Sequence, residues 1–411
     1  MKDANAFGLA GRRKQHLFIL KNKCTLHPLP VSASLFGILF PKPPLPAMQA
    51  SVIVPAKNES DHIIGTLEAL RNQYNANGQR LSYDDYEVLL LTNNCSDNTF
   101  QLATTYQQQH PQFRLHIADI QLRKEDAHIG TARRLLMDEA FRRHGYNGND
   151  GLILSTDSDT EVDAGWVAGT LQEMSDDYDA LGGRILARNI DTDNKLYYLL
   201  DTTYRCLAAR LEATINGDEP GTESSHFQCF GASLAVRCSA YQRAGRLPVI
   251  PCLEDEAFSR ALYRVDARIK KSSSVKVYTS ARLHGRVAKG LSVHLAHLGN
   301  MQKENITLYV ESLPTLLEKY CVKQELRTAW QQRRKGCSSG VSLAQTELLS
   351  GVPRAQLLKE INNSVYFGEC WENLETAMYL GRWKKKQQAV DISEAISDLR
   401  RYLKDESIIS A

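Results

Sequence analysis

Two aspartates stand one residue apart, Asp157 and Asp159, directly after a short apolar run, with Thr160 and Glu161 following. Carboxylates at this spacing can hold a hard divalent cation, Mg²⁺ or Mn²⁺, which keeps part of its water shell and binds substrate phosphates. The same spacing serves ordinary surface turns that cap a following helix. A second acidic group, Glu254-Asp255-Glu256, opens a stretch of helical spacing through Phe258, Ala261 and Leu262. Acids in a first turn complement the helix dipole and free N–H groups even where no chemistry is done. His284 lies in a loop flanked by Gly285 and Arg286. A neutral imidazole beside two carboxylates would complete a cation site, whereas a lone histidine is ordinarily packing or surface.

These groups need a frame, and the sequence supplies one from Ser51 onward. Ser51 to Pro55 is a short β-rich run; Lys57 to Asp61 is a polar turn; Ile63, Ile64, Leu67 and Leu70 repeat at helical spacing. Tyr86 to Leu91 reads as a buried strand, Asn93 to Asn98 as a capping turn and Thr99 to Gln107 as a helix. Phe113 to Ala118, Gly151 to Ser155, Ala180 to Leu186, Gly231 to Arg237 and Val275 to Thr279 read as further strands. Gly130 to Arg142 and Glu254 to Arg264 read as helices. Such alternation predicts an α/β domain with a mainly parallel sheet and helices on both faces. Ligands then bind beyond the carboxyl ends of the strands. The polar turns lie there. Asn216 to Ser225 lacks periodicity and reads as a mobile loop; from about Ser292 the chain reads as helical, ending in Ile392 to Leu403.

The run Ser51-Val-Ile-Val-Pro-Ala-Lys-Asn-Glu-Ser60 resembles the opening of glycosyltransferase family 2, and later landmarks follow in that family's order. Asn93-Asn-Cys-Ser-Asp-Asn-Thr99 resembles its second nucleotide loop and Gly130-x-Ala-Arg133 its third. Thr156-Asp-Ser-Asp159 resembles its Asp-x-Asp motif, Glu254-Asp255 its acceptor-side motif, and His284-Gly-Arg286 its late metal and phosphate loop. The resemblance covers about residues 50 to 290. It implies a GT-A (Rossmann-like) domain over 48–291 and a helical C-terminal extension over 292–411. The activity it implies is inverting, metal-dependent transfer of a hexose from a nucleoside-diphosphate sugar to an acceptor hydroxyl.

On this resemblance Pro55, Asn58, Glu59 and Asn93 line the nucleoside pocket, and Asp157 lies near the ribose or diphosphate. Arg133 and Arg286 add charge on the diphosphate, Asp159 and His284 hold Mg²⁺ or Mn²⁺, and Asp255 is the general base. Where many members carry an aspartate that reads the base, this chain has Asn93, so the nucleoside is left open. The fold and paired carboxylates would also suit a nucleotidyltransferase, but Pro55 to Ser60 contains no glycine where such an enzyme has a Gly-rich phosphate loop. The remaining alternative is a catalytically silent nucleotide-sugar-binding protein, whose expected sign is loss of the Asp-x-Asp pair or the base; both are present.

The whole chain agrees with this frame. At 411 residues and 43% hydrophobic content it can bury a large core. Lys and Arg number 50 against 47 Asp and Glu, so bulk charge does not point to nucleic acid. Nine singly scattered cysteines fit reduced thiols and a cytoplasmic setting. No apolar run reaches the ~18 to 20 residues that span a bilayer. Residues 1–47, basic and Pro-rich, read as a disordered leader or a mis-called start before Met48. Trp383 with Lys384 to Lys386 is a basic aromatic patch; peripheral contact with anionic headgroups is set there against the preferred reading of a solvated helix face.

Overall fold

The computed structural model describes residues 37–174, 177–216, 226–283, 285, 288–336, 343–381, 383 and 388–409. The elements alternate as β1 (Ala50–Ala56), α1 (Ile63–Arg71), β2 (Tyr86–Asn93), α2 (Thr99–Gln109), β3 (Leu115–Ile120), α3 (Ile129–Tyr146) and β4 (Leu152–Ser155). There follow β5 (Thr160–Val162), α4 (Trp166–Glu173), β6 (Ala180–Arg188), α5 (Thr192–Asn216), β7 (Leu234–Arg237), α6 (Cys238–Arg243), α7 (Glu254–Arg264) and β8 (Ile269–Ser280). The eight strands form one sheet in the order β3-β2-β1-β4-β7-β6-β8-β5.

β1 is buried along its whole length, as a strand covered on both faces must be. Its side chains alternate between two cores. Val52 and Val54 pack with α1, α2 and α4 through Leu67, Tyr106 and Trp166. Ile53 packs on the opposite face with α3, α6 and α7 through Leu136, Tyr241 and Phe258. Pro55 is tolerated in this central strand because β4 pairs only with Ala50 to Ile53, leaving Pro55 past the fully paired part.

Strand direction brings the site loops to one edge. β1 to β4 run parallel. β7 is antiparallel to β4, β6 is antiparallel to β7, and β8 is parallel to β6. The loops after β1, β2, β4 and β8 therefore leave from the same edge, where the turn before β7 also arrives. β1 is the switch point, with β2 and β3 on one side and β4 on the other, so the crevice opens beside Pro55 and Thr156. β5 starts immediately after Asp159 and pairs Thr160 with Thr279, which holds the Asp-x-Asp loop against the end of β8.

The C-terminal region contains α8 (Leu291–Lys303), β9 (Tyr309–Glu311), α9 (Leu313–Arg334), α10 (Ala344–Ser350), α11 (Arg354–Asn363), α12 (Phe367–Leu380), β10 (Ala389–Asp391) and α13 (Ile392–Ile409). α9, α11 and α12 share a core around Leu326, Leu357 and Leu374. A second core joins Leu211 of α5 to Leu316 of α9 and Leu399 of α13. Trp383 is 1% exposed, so it belongs to the helical core and presents no aromatic surface; Lys384 to Lys386 lie outside the described residues. Among the described residues no helix is long and apolar enough to cross a membrane.

The folded body reaches back before Met48. Phe40 is 3% exposed in the core with Ile53 and Leu136. Arg143 Nη1 donates to the Lys42 carbonyl at 2.7 Å and the Phe40 carbonyl at 3.3 Å, and Asn147 Nδ2 donates to Leu45 O at 2.7 Å. Residues 1–36 of the expected leader lie outside the described residues. Phe40→Ala should lower the unfolding free energy by about 3 kcal/mol in denaturant titrations. An unchanged midpoint would show that this segment is not part of the fold.

Candidate active site

The loop after β1 is tied to the loop after β2 by a residue suited to unusual backbone. Asn58 has φ 54°, a left-handed conformation that asparagine accepts more readily than most residues. Its Nδ2 donates to Ser96 Oγ at 3.2 Å, its Oδ1 accepts from Ser96 N at 2.7 Å, and its own N–H donates to Cys95 Sγ at 3.3 Å. Glu59 N donates to Thr99 Oγ1 at 2.7 Å and Ser60 N to Asp97 Oδ2 at 3.0 Å. Asn93 ends β2, 3% exposed. The neighbouring Asn94 fastens this turn to Leu122 with two hydrogen bonds of 2.9 and 3.0 Å.

Asp159, Glu59 and Arg282 meet at the crevice. Arg282 comes from the segment just past β8; its Nη2 lies 2.9 Å from Asp159 Oδ2 and its Nη1 3.1 Å from Glu59 Oε1. Burial pushes the Asp159 carboxyl up to about 6, and the negative charge of Asp157 adds to the rise while Arg282 opposes it. The sequence reading singled out His284 and Arg286 in this loop; both lie outside the described residues, and the guanidinium seen against the carboxylates is that of Arg282.

Arg133 occupies a different position from the diphosphate role expected of it. It is 3% exposed, on α3, and its Nη2 donates to Asp157 Oδ1 at 2.6 Å and Nη1 to Ser155 Oγ at 3.3 Å. Its Nε lies 3.2 Å from Glu254 Oε1 but is not aimed at it: Nε is among the buried nitrogens without a hydrogen-bond partner. Glu254 is thus poorly compensated, and burial pushes its carboxyl up to about 7 although Arg133 pulls the other way. The distance overstates this pair, and the negative charges of Asp255 and Asp157 add to the rise that burial causes.

Gly231 lies against this guanidinium. A Cβ there would sit 1.4 Å from Arg133 Nη1, so only glycine fits while Arg133 holds its place. The Gly231 carbonyl accepts from Ser155 Oγ at 2.7 Å, and its N–H donates to Asp255 Oδ2 at 2.8 Å. Asp255 Oδ1 accepts from the Glu256 N–H at 2.8 Å, and Leu253 before it takes a left-handed φ of 59° to turn the chain into α7. One glycine therefore joins the Asp-x-Asp side of the crevice to the Glu254-Asp255 side.

Glu59, Asp157, Asp159, Glu254 and Asp255 make five carboxylates around the guanidinium groups of Arg133 and Arg282. This surplus of negative oxygen fits a hard divalent cation. Among the described residues no group of three or more His, Cys, Asp or Glu side chains is already arranged as a metal site.

The crevice beside Pro55 and Thr156, the paired aspartates and the acids opening α7 thus lie in one α/β domain. Residues 51–234, less than half of the chain, match the model of glycosyl transferase family 2. No curated protein matches the chain. Among solved structures, Staphylococcus aureus TarS 1-349 in complex with UDP-GlcNAc is 16% identical, covering 83% of this chain and 93% of that one at a TM-score of 0.42. The mannosyltransferase PcManGT from Pyrobaculum calidifontis, with GDP-Man and Mn²⁺, is 14% identical over 84% of this chain and 91% of its own, TM-score 0.40. GalNAc-T7 with UDP, GalNAc and Mn²⁺ is 11% identical over 81% and 58%, TM-score 0.44.

Gly231→Ala should destabilise the protein by about 2 kcal/mol by displacing Arg133. Gly145→Ala, which meets nothing within 4 Å, should not. Equal stability of the two variants would contradict the contact. A second expectation concerns pH. Because the folded state holds a proton on Glu254 up to about 7, against 4.5 for a free glutamate, stability should fall as pH rises through that window. Subtracting the Glu254→Gln profile from that of the unsubstituted protein should isolate this slope. Parallel profiles would show Glu254 ionised throughout.

Proposed function

We propose that this protein is an inverting glycosyltransferase that moves a hexose from a nucleoside-diphosphate sugar to an acceptor hydroxyl. The observation that carries the reading is the convergence of Glu59, Asp159 and Arg282 from three separate loops on the crevice of a family 2 domain. Pro55, Asn58, Glu59 and Asn93 line the nucleoside side, and Asp157 faces the ribose or diphosphate. Arg133 acts as a positioning residue beneath Asp157, and Arg282 and Arg286 supply positive charge to the diphosphate, whose oxygens match guanidinium geometry.

Asp159 with His284 would hold Mg²⁺ or Mn²⁺. Such a cation would neutralise the diphosphate as it leaves. Asp255 does the work on the other side: it takes the acceptor hydroxyl proton while that oxygen bonds to the anomeric carbon. The bond from that carbon to the diphosphate breaks at the opposite face. The two backbone N–H groups on Asp255, from Gly231 and Glu256, fix its carboxylate plane and leave each oxygen a further lone pair for the acceptor proton. Neighbours bound to UDP-GlcNAc and GDP-Man support a nucleotide-sugar donor without choosing the base.

Asp255→Asn should lower turnover of a UDP- or GDP-sugar, followed as released nucleoside diphosphate, by about a hundredfold or more. Thermal stabilisation by the same nucleotide should be retained. Loss of both together would remove Asp255 from the role of base.

A further inference from the structure

A cavity of about 2630 Å³ lies between the residues of the family 2 match and the C-terminal helices. Leu253, Glu256 and Ala257 form part of its wall and Asp255 does not, so it reaches the first turn of α7 beside Asp255. From there it runs along α7 and β8 to α5, α9 and α12. Its frame is firmly made. Asp266 accepts from the Phe367 and Gly368 N–H groups at 2.7 Å each, at the start of α12. Arg264 grips Glu372 with two hydrogen bonds of 2.6 and 2.9 Å. A Cβ at Gly368 would sit 1.8 Å from the Tyr263 carbonyl, so α12 lies directly on the end of α7.

The lining has a definite chemistry. Among the described residues ten lysines and arginines face ten aspartates and glutamates, leaving no net charge. Many are already matched: Lys323 with Glu212 at 2.5 Å, Lys319 with Glu375 at 3.0 Å, Arg260 with Glu256 at 2.7 Å. Aromatic rings stand between the pairs. Lys323 lies over the Trp371 ring at 5.6 Å, Lys319 over Tyr379 at 5.5 Å and Lys271 over Tyr263 at 5.6 Å. Tyr263 is 49% exposed on the wall of the cleft.

An anionic ligand would need cations in excess, because a carboxylate already neutralises each paired one. A lipid tail would need a continuous apolar wall. Ring faces alternating with fixed donor and acceptor pairs suit a chain whose units each offer an apolar face and a rim of hydroxyls. Ordinary small-molecule pockets are about 300 to 1,000 Å³, so a cavity of this size accepts several such units.

We propose that this cleft binds the acceptor as a linear, uncharged oligosaccharide, with its reacting end at Asp255 and its further sugar units along Tyr263, Trp371 and Tyr379. The cleft's identity as the acceptor side rests on the transferase reading above; its affinity for an uncharged sugar chain does not.

The test uses the full chain and intrinsic tryptophan fluorescence, titrated with neutral linear glucan and mannan oligosaccharides from disaccharide to octasaccharide and with their phosphorylated counterparts. Stabilisation by nucleoside diphosphates is measured in parallel. Affinity should rise with the length of the neutral chains. Tyr263→Ala, at a half-exposed ring, and Trp371→Ala should each weaken it by about tenfold, with nucleotide stabilisation unchanged. Absence of binding, binding independent of length, binding of phosphorylated chains alone, or variants that bind as well as the unsubstituted protein would each overturn the proposal. Length-dependent binding of neutral chains with no nucleotide effect would instead overturn the transferase reading and leave the cleft's ligand class standing.

Discussion

The buried guanidinium of Arg133 is the constraint on which the rest of the site depends. A charge at 3% exposure is retained only if its surroundings answer it, and removing one partner of such a group typically costs several kcal/mol. Here the hydrogen-bonded answers come from Ser155 at the end of β4 and Asp157 in the Asp-x-Asp turn, while Glu254 at the start of α7 lies 3.2 Å away without a hydrogen bond. Gly231 closes the remaining side and passes the restraint to Asp255. The positions of the Asp157 and Asp255 carboxylates are thereby tied to one group that itself stays out of solvent.

This arrangement leaves the crevice short of positive charge. Arg133 is used internally, and Arg282 is shared between Glu59 and Asp159. Burial raises the carboxyls of Asp159 and Glu254, and the neighbouring carboxylates add to the rise. Carboxylates raised in this way favour the neutral form until a positive charge is brought beside them. The cleft beyond α7 is the opposite case, with its charges matched before any ligand arrives.

Much of the domain was legible because its signals are local. β1 is a continuous apolar run, and α7 starts at Glu254 and ends at Arg264 as its acids and apolar spacing predict. What escaped depends on distant partners. α5, 25 residues long, exposes Leu196 and Leu199 and buries Leu211 against helices a hundred or more residues later, so its stripe means little until those helices are in place. β8 begins at Ile269, earlier than expected, because its polar Lys270 to Ser272 is held by pairing with β6 and not by an apolar pattern. The segment expected as a strand from Gly231 begins as a 3₁₀ turn, since Gly231 is held by Ser155 and Asp255. Motif order identified the Asp-x-Asp and Glu-Asp groups, but not that Arg133 would be buried between them or that Arg282 would face the carboxylates. The second fact follows from β5 pinning Asp159 to the end of β8, a three-residue strand with no signal of its own.

The central claim is a cation-assisted nucleoside-diphosphate site built on Asp159. The most direct measurement is thermal stabilisation of the full chain by UDP, GDP, TDP and CDP, each with and without Mn²⁺, compared with Asp159→Ala. Ligands that bind only the native state raise its apparent stability by mass action, so no knowledge of the acceptor is needed. The account predicts a metal-dependent rise with at least one nucleotide that is lost in Asp159→Ala. No rise with any nucleotide, or a rise that persists in the variant, would contradict it.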